Sequence, residues 1–346
     1  MIAYDDSKRR YIMDCSGKTI ISRISMDSNK MFFISDLSEK VTHFWKGRSI
    51  MKLAHYVTES KTRVGMVKEG RIFDLANSGL QGFAELHSID DLLSQGKLDN
   101  LLRSEQNLYN GPSLSLNSTK LLSPVFHPQK IYCAAINYLS HSKEQDVKPP
   151  TEPYFFTKFG NTLIGPDDPI LIPRSSKKVD WEVELAVVIG RKGKYIKKDE
   201  AMGYVAGYTI SNDISYRDLQ LPVGYPQKLS PLGHNWVKGK GLDNALPLGP
   251  WLVTSDEMSD PYAKRISLSV NGSVKQDERI GEMVFKIDQL IEYLSDGITL
   301  MPGDVISTGT PMGVAVFTGA PFLSDGDLVE AEIEGIGKLR NYVKKE

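Results

Sequence analysis

The most informative stretch of the sequence reads Val179-Asp180-Trp181-Glu182-Val183-Glu184-Leu185-Ala186-Val187-Val188-Ile189-Gly190. Side chains on a β-strand alternate between its two faces, so Glu182 and Glu184 point to the same side. Residues 185–189 continue as an uninterrupted apolar run, which predicts a strand that is buried on both faces. Two carboxylates in such a strand repel each other and lack water, and a bound cation would relieve that repulsion.

A second apolar segment, Tyr208-Thr209-Ile210-Ser211, is followed by Asn212-Asp213. With Glu182 and Glu184, Asp213 completes a set of three carboxylates without a nearby Cys or His. Such a set predicts a site for a hard, oxygen-preferring ion, namely Mg2+, with Mn2+ or Ca2+ as alternatives. The individual signals also allow other interpretations, because Glu-X-Glu is common on the solvated face of a sheet and Asn-Asp commonly starts a turn.

The bulk composition argues against several classes of protein. A chain of 346 residues is long enough for two domains, and its apolar and charged fractions of 40% and 25% are those of a globular protein. The net charge of -1 and the scattered Lys and Arg residues give no general attraction to nucleic acid or to an anionic membrane. No apolar run reaches the length of about 18 residues that would span a membrane. The two cysteines form no disulfide framework, and we expect a cytoplasmic location.

The N-terminal third of the chain is predicted to contain two segments. Residues 1–50 lack sustained periodicity and are expected to be a poorly ordered extension. Residues 51–125 are expected to form a small N-terminal β module and a linker, because short apolar runs separated by turns at 51–76 predict a β-meander. Within this module Ser88 precedes a segment with acidic residues in its first turn, which predicts a helix N-cap.

Residues 126–346 are predicted to form the main domain. Strand-like runs recur between Gly and Pro turns, which indicates a mixed, predominantly β architecture with few helices rather than regular alternation of strands and helices. One helix is predicted at 282–295, because apolar residues recur there at helical spacing and Gly297 follows. The predicted strands are 130–136, 203–211, 251–254, 266–270, 304–307 and 328–333.

A polar segment, Asn137-Tyr138-Leu139-Ser140-His141-Ser142-Lys143-Glu144, follows the strand predicted at 130–136. His141 and Glu144 are three residues apart and would share a face of a helix. A carboxylate that holds one imidazole nitrogen leaves the other free to take a proton from water, which is the arrangement of a general base. The alternative is an ordinary surface His beside a surface Glu, and spacing alone favours this alternative.

Three further features could bind an anionic substrate. Arg217 and Gln220 are three residues apart and could grip a carboxylate. Lys240 lies between two glycines, which would let the backbone approach a ligand closely. The loop at 307–314 is rich in small residues and could expose backbone N–H groups and hydroxyls to an anion. Without further context, ordinary surface residues and a plain turn remain the simpler interpretation.

Several short motifs follow one another along the chain. The motifs are Asn137-Tyr138-X-X-His141-X-X-Glu144, Phe156-X-Lys158, Asp180-X-Glu182-X-Glu184-Leu185, Asn212-Asp213, Arg217-Asp218-X-Gln220, Lys240-Gly241-X-Asp243, Pro247-Leu248-Gly249-Pro250-Trp251, Asn271-Gly272, Pro302-Gly303-Asp304-Val305-Ile306 and Thr308-Gly309-Thr310-Pro311-X-Gly313-Val314. Each motif alone is unspecific, but the ordered set closely resembles the fumarylacetoacetate hydrolase family. The resemblance covers residues 129 to 343, with a weaker match from Met51.

The resemblance implies a metal site and a catalytic pair. The metal ligands of the family correspond to Glu182, Glu184 and Asp213, and its members usually hold Mg2+ there. The water-activating pair of the family corresponds to His141 and Glu144, on a segment that tends to order over bound substrate.

The resemblance also implies substrate contacts. Groups that hold substrate oxygens in the family correspond to Lys240, Arg217 and Gln220, and Lys240 would in addition support a developing oxyanion as part of the catalytic set. Thr310 corresponds to the loop that receives the substrate carboxylate.

The implied fold is the β-sandwich roll of the family with a few helices and a small N-terminal β module, and residues 126–346 are then the catalytic domain. A homodimer is expected, with its contact in this domain. The chain departs from the family pattern in two places: Ala135-Ile136 replaces a frequent Gly-Leu, and Ser140 replaces Asp or Asn before the His. Both could alter closure of the segment over the substrate or the choice of substrate.

The implied activity is metal-dependent hydrolysis of a C–C bond in an acylpyruvate-type acid, which gives a 2-oxo acid and a carboxylic acid in the catabolism of aromatic or small acids. The same site could instead support a decarboxylase, a tautomerase or isomerase, or a ureidoglycolate lyase. Two interpretations without catalysis stay open: a metal-stabilised module that binds a sugar or an acid, and a scaffold whose carboxylates form structural ion pairs.

Overall fold

A computed structural model describes residues 2–6, 9–13, 19–21, 51–104, 109, 112–220 and 235–346. The chain forms two units, Met1–Ser49 and Ile50–Glu346, which are described separately. In the first unit the strands β1 (Ile2–Asp6), β2 (Arg9–Met13) and β3 (Thr19–Ile21) form an antiparallel sheet. The prediction of a poorly ordered extension at 1–50 falls for most of its length outside the described residues.

The larger unit is mostly β-structure, as predicted. Its strands are β4 (Lys52–Thr58), β5 (Lys61–Lys68), β6 (Arg71–Asp74), β7 (Ser113–Ser115), β8 (Leu121–Leu122), β9 (Ile131–Ala134), β10 (Phe155–Lys158), β11 (Leu163–Ile164), β12 (Ile170–Ile172), β13 (Val179–Asp180), β14 (Val183–Ile189), β15 (Val205–Asn212), β16 (Ser215–Tyr216), β17 (Leu246–Thr254), β18 (Arg265–Val270), β19 (Ser273–Arg279), β20 (Val305–Ser307), β21 (Leu328–Ile333) and β22 (Gly337–Lys345). The described helices are α1 (Ile89–Ser94), α2 (Leu98–Arg103), α3 (Leu139–Glu144), α4 (Arg217–Gln220), α5 (Trp236–Lys240), α6 (Ile287–Ser295) and α7 (Ala315–Thr318).

One large mixed sheet organises the unit. Its strand order is β10-β9-β20-β14-β15-β17-β4-β5-β6-β7, with β11 paired to β17 and β8 paired to β4. A second sheet has the order β12-β22-β21-β18-β19, and β13 pairs with β16. The meander predicted at 51–76 is confirmed as β4, β5 and β6, and it continues the large sheet because β4 pairs with β17.

Strand β14 lies at the centre of the large sheet and is buried along its whole length, as the sequence predicts. Leu185 and Val187 face one apolar core, which includes residues of the five-stranded sheet, whereas Ala186 and Val188 face a second core, which includes residues of α1. The strand is thus covered on both faces, and Glu184 lies in the same alternating register as Ala186.

The helix predicted at 282–295 begins later than the sequence indicates, at Ile287. The preceding residues are fixed in a non-helical conformation, because Val284 N donates to the carbonyl of Asn137 at 2.8 Å and Phe285 N donates to Asn137 Oδ1 at 2.8 Å. The helix cap follows at Lys286, whose N–H donates to the side chain of Gln289. This long-range contact leaves no periodic signal, and the sequence-based start of the helix was therefore wrong.

His55 joins three parts of the N-terminal module. Its Nδ1 donates to the carbonyl of Ser123 at 2.7 Å, and its Nε2 accepts from Ile89 N, the first residue of α1, at 2.7 Å. Because Ile89 N must donate, the ring is neutral when both bonds form. Burial lowers the pKa of His55, and the bond to Ser123 offsets only part of that effect.

We therefore expect His55 to make the free energy of unfolding depend on pH. A histidine with a lowered pKa in the folded state stabilises the fold fully above its unfolded pKa of about 6.5, and loses that contribution as pH falls below it. Urea unfolding between pH 7.5 and 5 should show a steeper fall for the wild type than for His55→Gln, by up to about 1.4 kcal/mol per pH unit. The exposed residue His127 provides the control, because His127→Gln should keep the wild-type slope. Equal slopes for the wild type and His55→Gln would contradict this assignment.

Candidate functional site

A cavity of about 610 Å³, including its open mouth, lies beside the N-terminal end of β14. It brings together most of the site residues that the sequence predicts. The predicted residues that line it are His141, Glu182, Glu184, Arg217, Gln220, Lys240 and Thr310. The other two contact this lining from outside it: Glu144 is bonded to His141, and Asp213 is bonded to Lys240.

The three predicted metal ligands, Glu182, Glu184 and Asp213, form a cluster that we call the carboxylate trio. Each contributes a carboxylate oxygen, and these oxygens lie within 4.8 Å of one another in a buried environment. Two members belong to or directly precede β14, and the third directly follows β15. Because β14 and β15 are antiparallel neighbours, the end of β15 lies beside the start of β14. The sheet register therefore assembles the trio.

Two cations compensate Glu182. Arg217 Nη2 donates to its Oε1 at 2.5 Å, and Lys240 Nζ donates to its Oε2 at 2.8 Å. Burial alone would raise the pKa of Glu182, but the charges of Lys240 and Arg217 outweigh burial and hold this pKa well below its ordinary value. Arg217 also donates from Nε to Asp180 Oδ2 at 2.9 Å, and is thus fixed between two carboxylates.

Asp213 has two ammonium groups beside it, which act differently. Lys240 Nζ donates to Asp213 Oδ2 at 2.7 Å. Lys158 Nζ forms an ion pair with Oδ1 at 2.9 Å and is also within hydrogen-bond distance of the carbonyl oxygens of Ile214, Lys240 and Ala245, so its protons are shared among four acceptors. Among the described residues, no group donates a well-aligned hydrogen bond to Oδ1. Lys158 therefore compensates the charge of Asp213 while leaving acceptor capacity at Oδ1 for another ligand.

Glu184 receives the least compensation in the trio. Ser307 Oγ donates to its Oε2 at 2.5 Å, and Gly309 N donates to the same oxygen at 2.8 Å. Burial, followed by the charges of Asp213 and Glu182, raises the pKa of Glu184 to about 8. A cation in contact with Glu184 would remove this cost.

The carboxylate trio fits a divalent cation of the hard type. Its donors are oxygen atoms only, Asp213 Oδ1 has free lone pairs, and Glu184 lacks a positive partner among the described side chains. Mg2+, Mn2+ and Ca2+ prefer such ligands. The arrangement could therefore hold a divalent ion.

His141 and Glu144 form the hydrogen-bonded pair that the sequence predicts, on the short helix α3. His141 Nδ1 lies 2.6 Å from Glu144 Oε1, and Glu144 Oε2 accepts from Gly313 N at 2.9 Å. An ionised Glu144 acts only as an acceptor, so the proton lies on Nδ1 and leaves Nε2 as the basic atom. Since His141 lines the same cavity as Glu182 and Glu184, a candidate base and two members of the candidate cation site border one space.

The structure qualifies the predicted roles of Thr310 and Gln220. Thr310 Oγ1 donates to Val183 O at 2.9 Å and accepts from Gln276 Nε2 at 2.8 Å, so its proton is already in use. Gln220 Oε1 accepts from Arg217 Nη1 at 3.1 Å. The hydroxyl of Thr310 is therefore bound within the protein, and the substrate contacts of its loop and of Gln220 stay predictions.

Phe156 and Trp236 form an apolar wall of the cavity. Their rings stack with centroids 4.6 Å apart, and Lys240 Nζ lies 5.0 Å from the centre of the Phe156 ring. Low exposure to water on this side strengthens the electrostatic interactions of Lys240.

Sequence reasoning assigned no individual role to three residues that stabilise the site, Lys158, Asp180 and Ser307, although Ser307 belongs to the loop at 307–314 considered for anion binding. Lys158 and Asp180 lie within the motifs Phe156-X-Lys158 and Asp180-X-Glu182, so a signal was present. Asp180 accepts from the N–H groups of Ala315 and Val316 as well as from Arg217. Ser307 gave no such signal, because its contact with Glu184 depends on the pairing of β20 with β14.

Comparison with known proteins identifies relatives over most of the chain. The family profile "Fumarylacetoacetate (FAA) hydrolase C-terminal" matches residues 130–344. Oxaloacetate tautomerase FAHD2A, mitochondrial, from Homo sapiens is 46% identical over 233 residues, which cover 67% of this chain and 72% of that protein. The fumarylacetoacetate hydrolase domain-containing protein 2 homolog from Dictyostelium discoideum is 37% identical over 309 residues, or 85% of this chain and 98% of that protein.

Solved structures with the same fold include different types of enzyme. The 2-hydroxyhepta-2,4-diene-1,7-dioate isomerase from Mycobacterium marinum has a TM-score of 0.65 at 31% identity and covers 86% of this chain and 99% of its own. Maleylpyruvate hydrolase from Sphingobium sp. SYK-6 has a TM-score of 0.69 at 28% identity, and the match covers 86% of this chain and 100% of that chain.

The comparisons also bear on location and family. The name of the human relative includes the word mitochondrial, so it does not support the cytoplasmic location that we expected for this chain. In the part of the chain that the structure describes, no helix is long and apolar enough to cross a membrane. The matched profile and the identities above show that the chain belongs to the fumarylacetoacetate hydrolase family.

Proposed function

We propose that this protein is a tautomerase that interconverts the keto and enol forms of an oxaloacetate-like 2-oxo acid with the help of a divalent ion. The observation that carries the proposal is the shared cavity, which is lined by the candidate base His141 and by two members of the carboxylate trio, Glu182 and Glu184. The name of the human relative, an oxaloacetate tautomerase, supports the same reaction and substrate. Mg2+ is the proposed ion, and a homodimer remains a prediction.

The carboxylate trio would hold the divalent ion. When bound, such an ion acts as a Lewis acid on the oxygens of a 2-oxo acid, which makes the neighbouring C–H bond more acidic.

The residues of the chain would then move the proton. His141 Nε2 takes the proton from the carbon beside the oxo group, while Glu144 keeps Nδ1 protonated and stabilises the imidazolium that forms. Lys240 donates two of its three ammonium protons to Glu182 and Asp213. Its third proton would then donate to the substrate oxygen on which negative charge develops. Return of the proton to this oxygen completes the enol.

Hydrolysis of a C–C bond in an acylpyruvate is the second candidate. The same Nε2 could take a proton from water instead of carbon, and the structural neighbour maleylpyruvate hydrolase carries a hydrolase name. Decarboxylation of oxaloacetate is distinguished by its products, pyruvate and CO2.

One prediction of the proposed function concerns the reaction. Purified protein with Mg2+ should accelerate the decay of enol-oxaloacetate, followed by ultraviolet absorbance, with NMR to identify products. His141→Asn should lower the rate by about 100- to 10,000-fold, the usual contribution of a general base, without weakening Mg2+ binding. The exposed residue His87 supplies the control, since His87→Asn should keep the wild-type rate.

Three outcomes decide between the candidates. Faster keto–enol interconversion without net consumption of oxaloacetate supports the tautomerase. Cleavage of acylpyruvates to two acids without tautomerase activity supports the hydrolase. Folded protein that acts on neither substrate, with Mg2+ or Mn2+ present, contradicts the proposal.

Another prediction of the proposed function concerns the ion. Titration calorimetry should detect binding of Mg2+ or Mn2+, and Glu184→Gln should weaken it by roughly 100-fold or more, since even residues that only orient a ligand contribute 10- to 100-fold. Glu144→Gln is the matched control, because Glu144 lies in the same site but outside the carboxylate trio, and its affinity for the ion should match the wild type. Equal losses in both variants would show that the trio is not the ion site.

A further inference from the structure

Asn137 connects the two halves of the candidate site. Its side chain is almost fully buried, and both ends of its amide group are hydrogen-bonded. Nδ2 donates to Phe285 O at 3.0 Å and to Thr308 O at 2.8 Å, and Oδ1 accepts from Phe285 N at 2.8 Å. Its backbone carbonyl accepts from Val284 N at 2.8 Å. The amide therefore pairs with Phe285 as a neighbouring strand would, and reaches the loop after β20 at the same time.

Asn137 and its partner Thr308 each lie close in sequence to a residue of the candidate site. Four residues after it comes His141, on the helix α3 that starts at Leu139. The residue after its partner Thr308 is Gly309, whose N–H donates to Glu184. Asn137 thus ties the segment carrying the base to the start of the loop that contacts the carboxylate trio, whereas Glu144 and Ser140 accept hydrogen bonds from the later loop residues Gly313 and Met312.

The two segments pack in close contact at Gly309. Gly309 has a φ of 94°, and a Cβ on it would lie 2.7 Å from the Cβ of Asn137 and 3.1 Å from Ala134 O. The Asn137 side chain thus lies directly against the loop backbone, closer than any side chain on Gly309 would allow.

The residue before Asn137 shows that this corner is held against its local preference. Ile136 has a φ of 55°, a left-handed conformation that β-branched residues rarely adopt, and it lines the cavity. Such a conformation persists only where the surrounding contacts over-determine it, and it is typical of functional sites. The four hydrogen bonds of Asn137 supply that constraint.

We propose that Asn137 is a positioning residue, which fixes the distance between the base His141 and the carboxylate trio. The inference rests on the proposed function, because it assumes that His141 acts on a substrate bound near the trio. Asn137 itself does not line the cavity among the described residues and exerts its effect through the two segments that it joins.

Asn137→Asp tests the proposal with almost no change in size. It replaces the amide donor with an oxygen that faces the carbonyls of Phe285 and Thr308, so the bonds become repulsive. We expect kcat to fall by about 10- to 100-fold, as for a misplaced catalytic group, while KM and the affinity for Mn2+ change little. Hydrogen exchange measured by mass spectrometry should become faster in residues 135–147.

Asn341 offers a matched control. It is equally buried, and its Nδ2 also donates to two carbonyls, those of Gly165 and Asp168, outside the candidate site. Asn341→Asp should lower the melting temperature of the protein by about as much as Asn137→Asp does. It should nevertheless keep the wild-type kcat and the wild-type hydrogen exchange of residues 135–147. Asn137→Leu and Asn341→Leu form a second pair of variants, which removes the side-chain hydrogen bonds without adding a charge. This pair is used for the same comparison if Asn137→Asp does not fold.

The outcomes separate this inference from the proposed function. A folded Asn137 variant with wild-type kcat overturns it, and so does an equal loss of kcat in the matched Asn341 variant. Parallel loss of Mn2+ affinity also overturns it, because the site as a whole would then have collapsed. If the wild-type protein itself turns over no substrate, the proposed function fails, and hydrogen exchange alone decides: unchanged exchange at 135–147 in the Asn137 variants overturns the positioning role.

Discussion

Repulsion among three buried carboxylates is the constraint on which this structure depends. The oxygens of the carboxylate trio lie within 4.8 Å of one another and away from water, where unpaired charges are very costly. Lys158, Arg217 and Lys240 bring three positive charges to them, from β10, α4 and α5. These elements lie far apart in sequence, so the charge balance exists only when the large sheet and its helices have come together.

The balance is uneven, and this unevenness has a chemical consequence. Glu182 is held ionised by two cations, whereas burial and like charges raise the pKa of Glu184 to about 8. Lys158 divides its protons between backbone carbonyls and Asp213, so that Asp213 Oδ1 keeps acceptor capacity for a further ligand. The trio is thus compensated enough to fold, yet retains affinity for a further cation beside the base His141. A fold that neutralised all three carboxylates with its own side chains would be unable to recruit an ion.

Local patterns in the sequence were sufficient for much of this site. Alternation and an apolar run correctly predicted that β14 is buried on both faces. The spacing of His141 and Glu144 alone favoured ordinary surface residues, and the ordered set of motifs was needed to indicate their pairing. Features that depend on distant partners could not be read in this way. The start of α6 is set by Asn137, about 150 residues earlier in the chain, and Ser307 reaches Glu184 only through strand pairing. The preference for hydrolysis over tautomerisation also had no basis in local pattern, because one base serves both reactions.

A crystal structure of the protein grown with Mn2+ and oxalate, an inert analogue of the enolate of a 2-oxo acid, tests the central claim most directly. The account predicts an anomalous signal from Mn2+ in direct contact with all three members of the carboxylate trio, with oxalate bound to the ion and within hydrogen-bond reach of His141 Nε2. Saturating Mn2+ that binds elsewhere, or a trio that contacts only Lys158, Arg217 and Lys240 under these conditions, would contradict it.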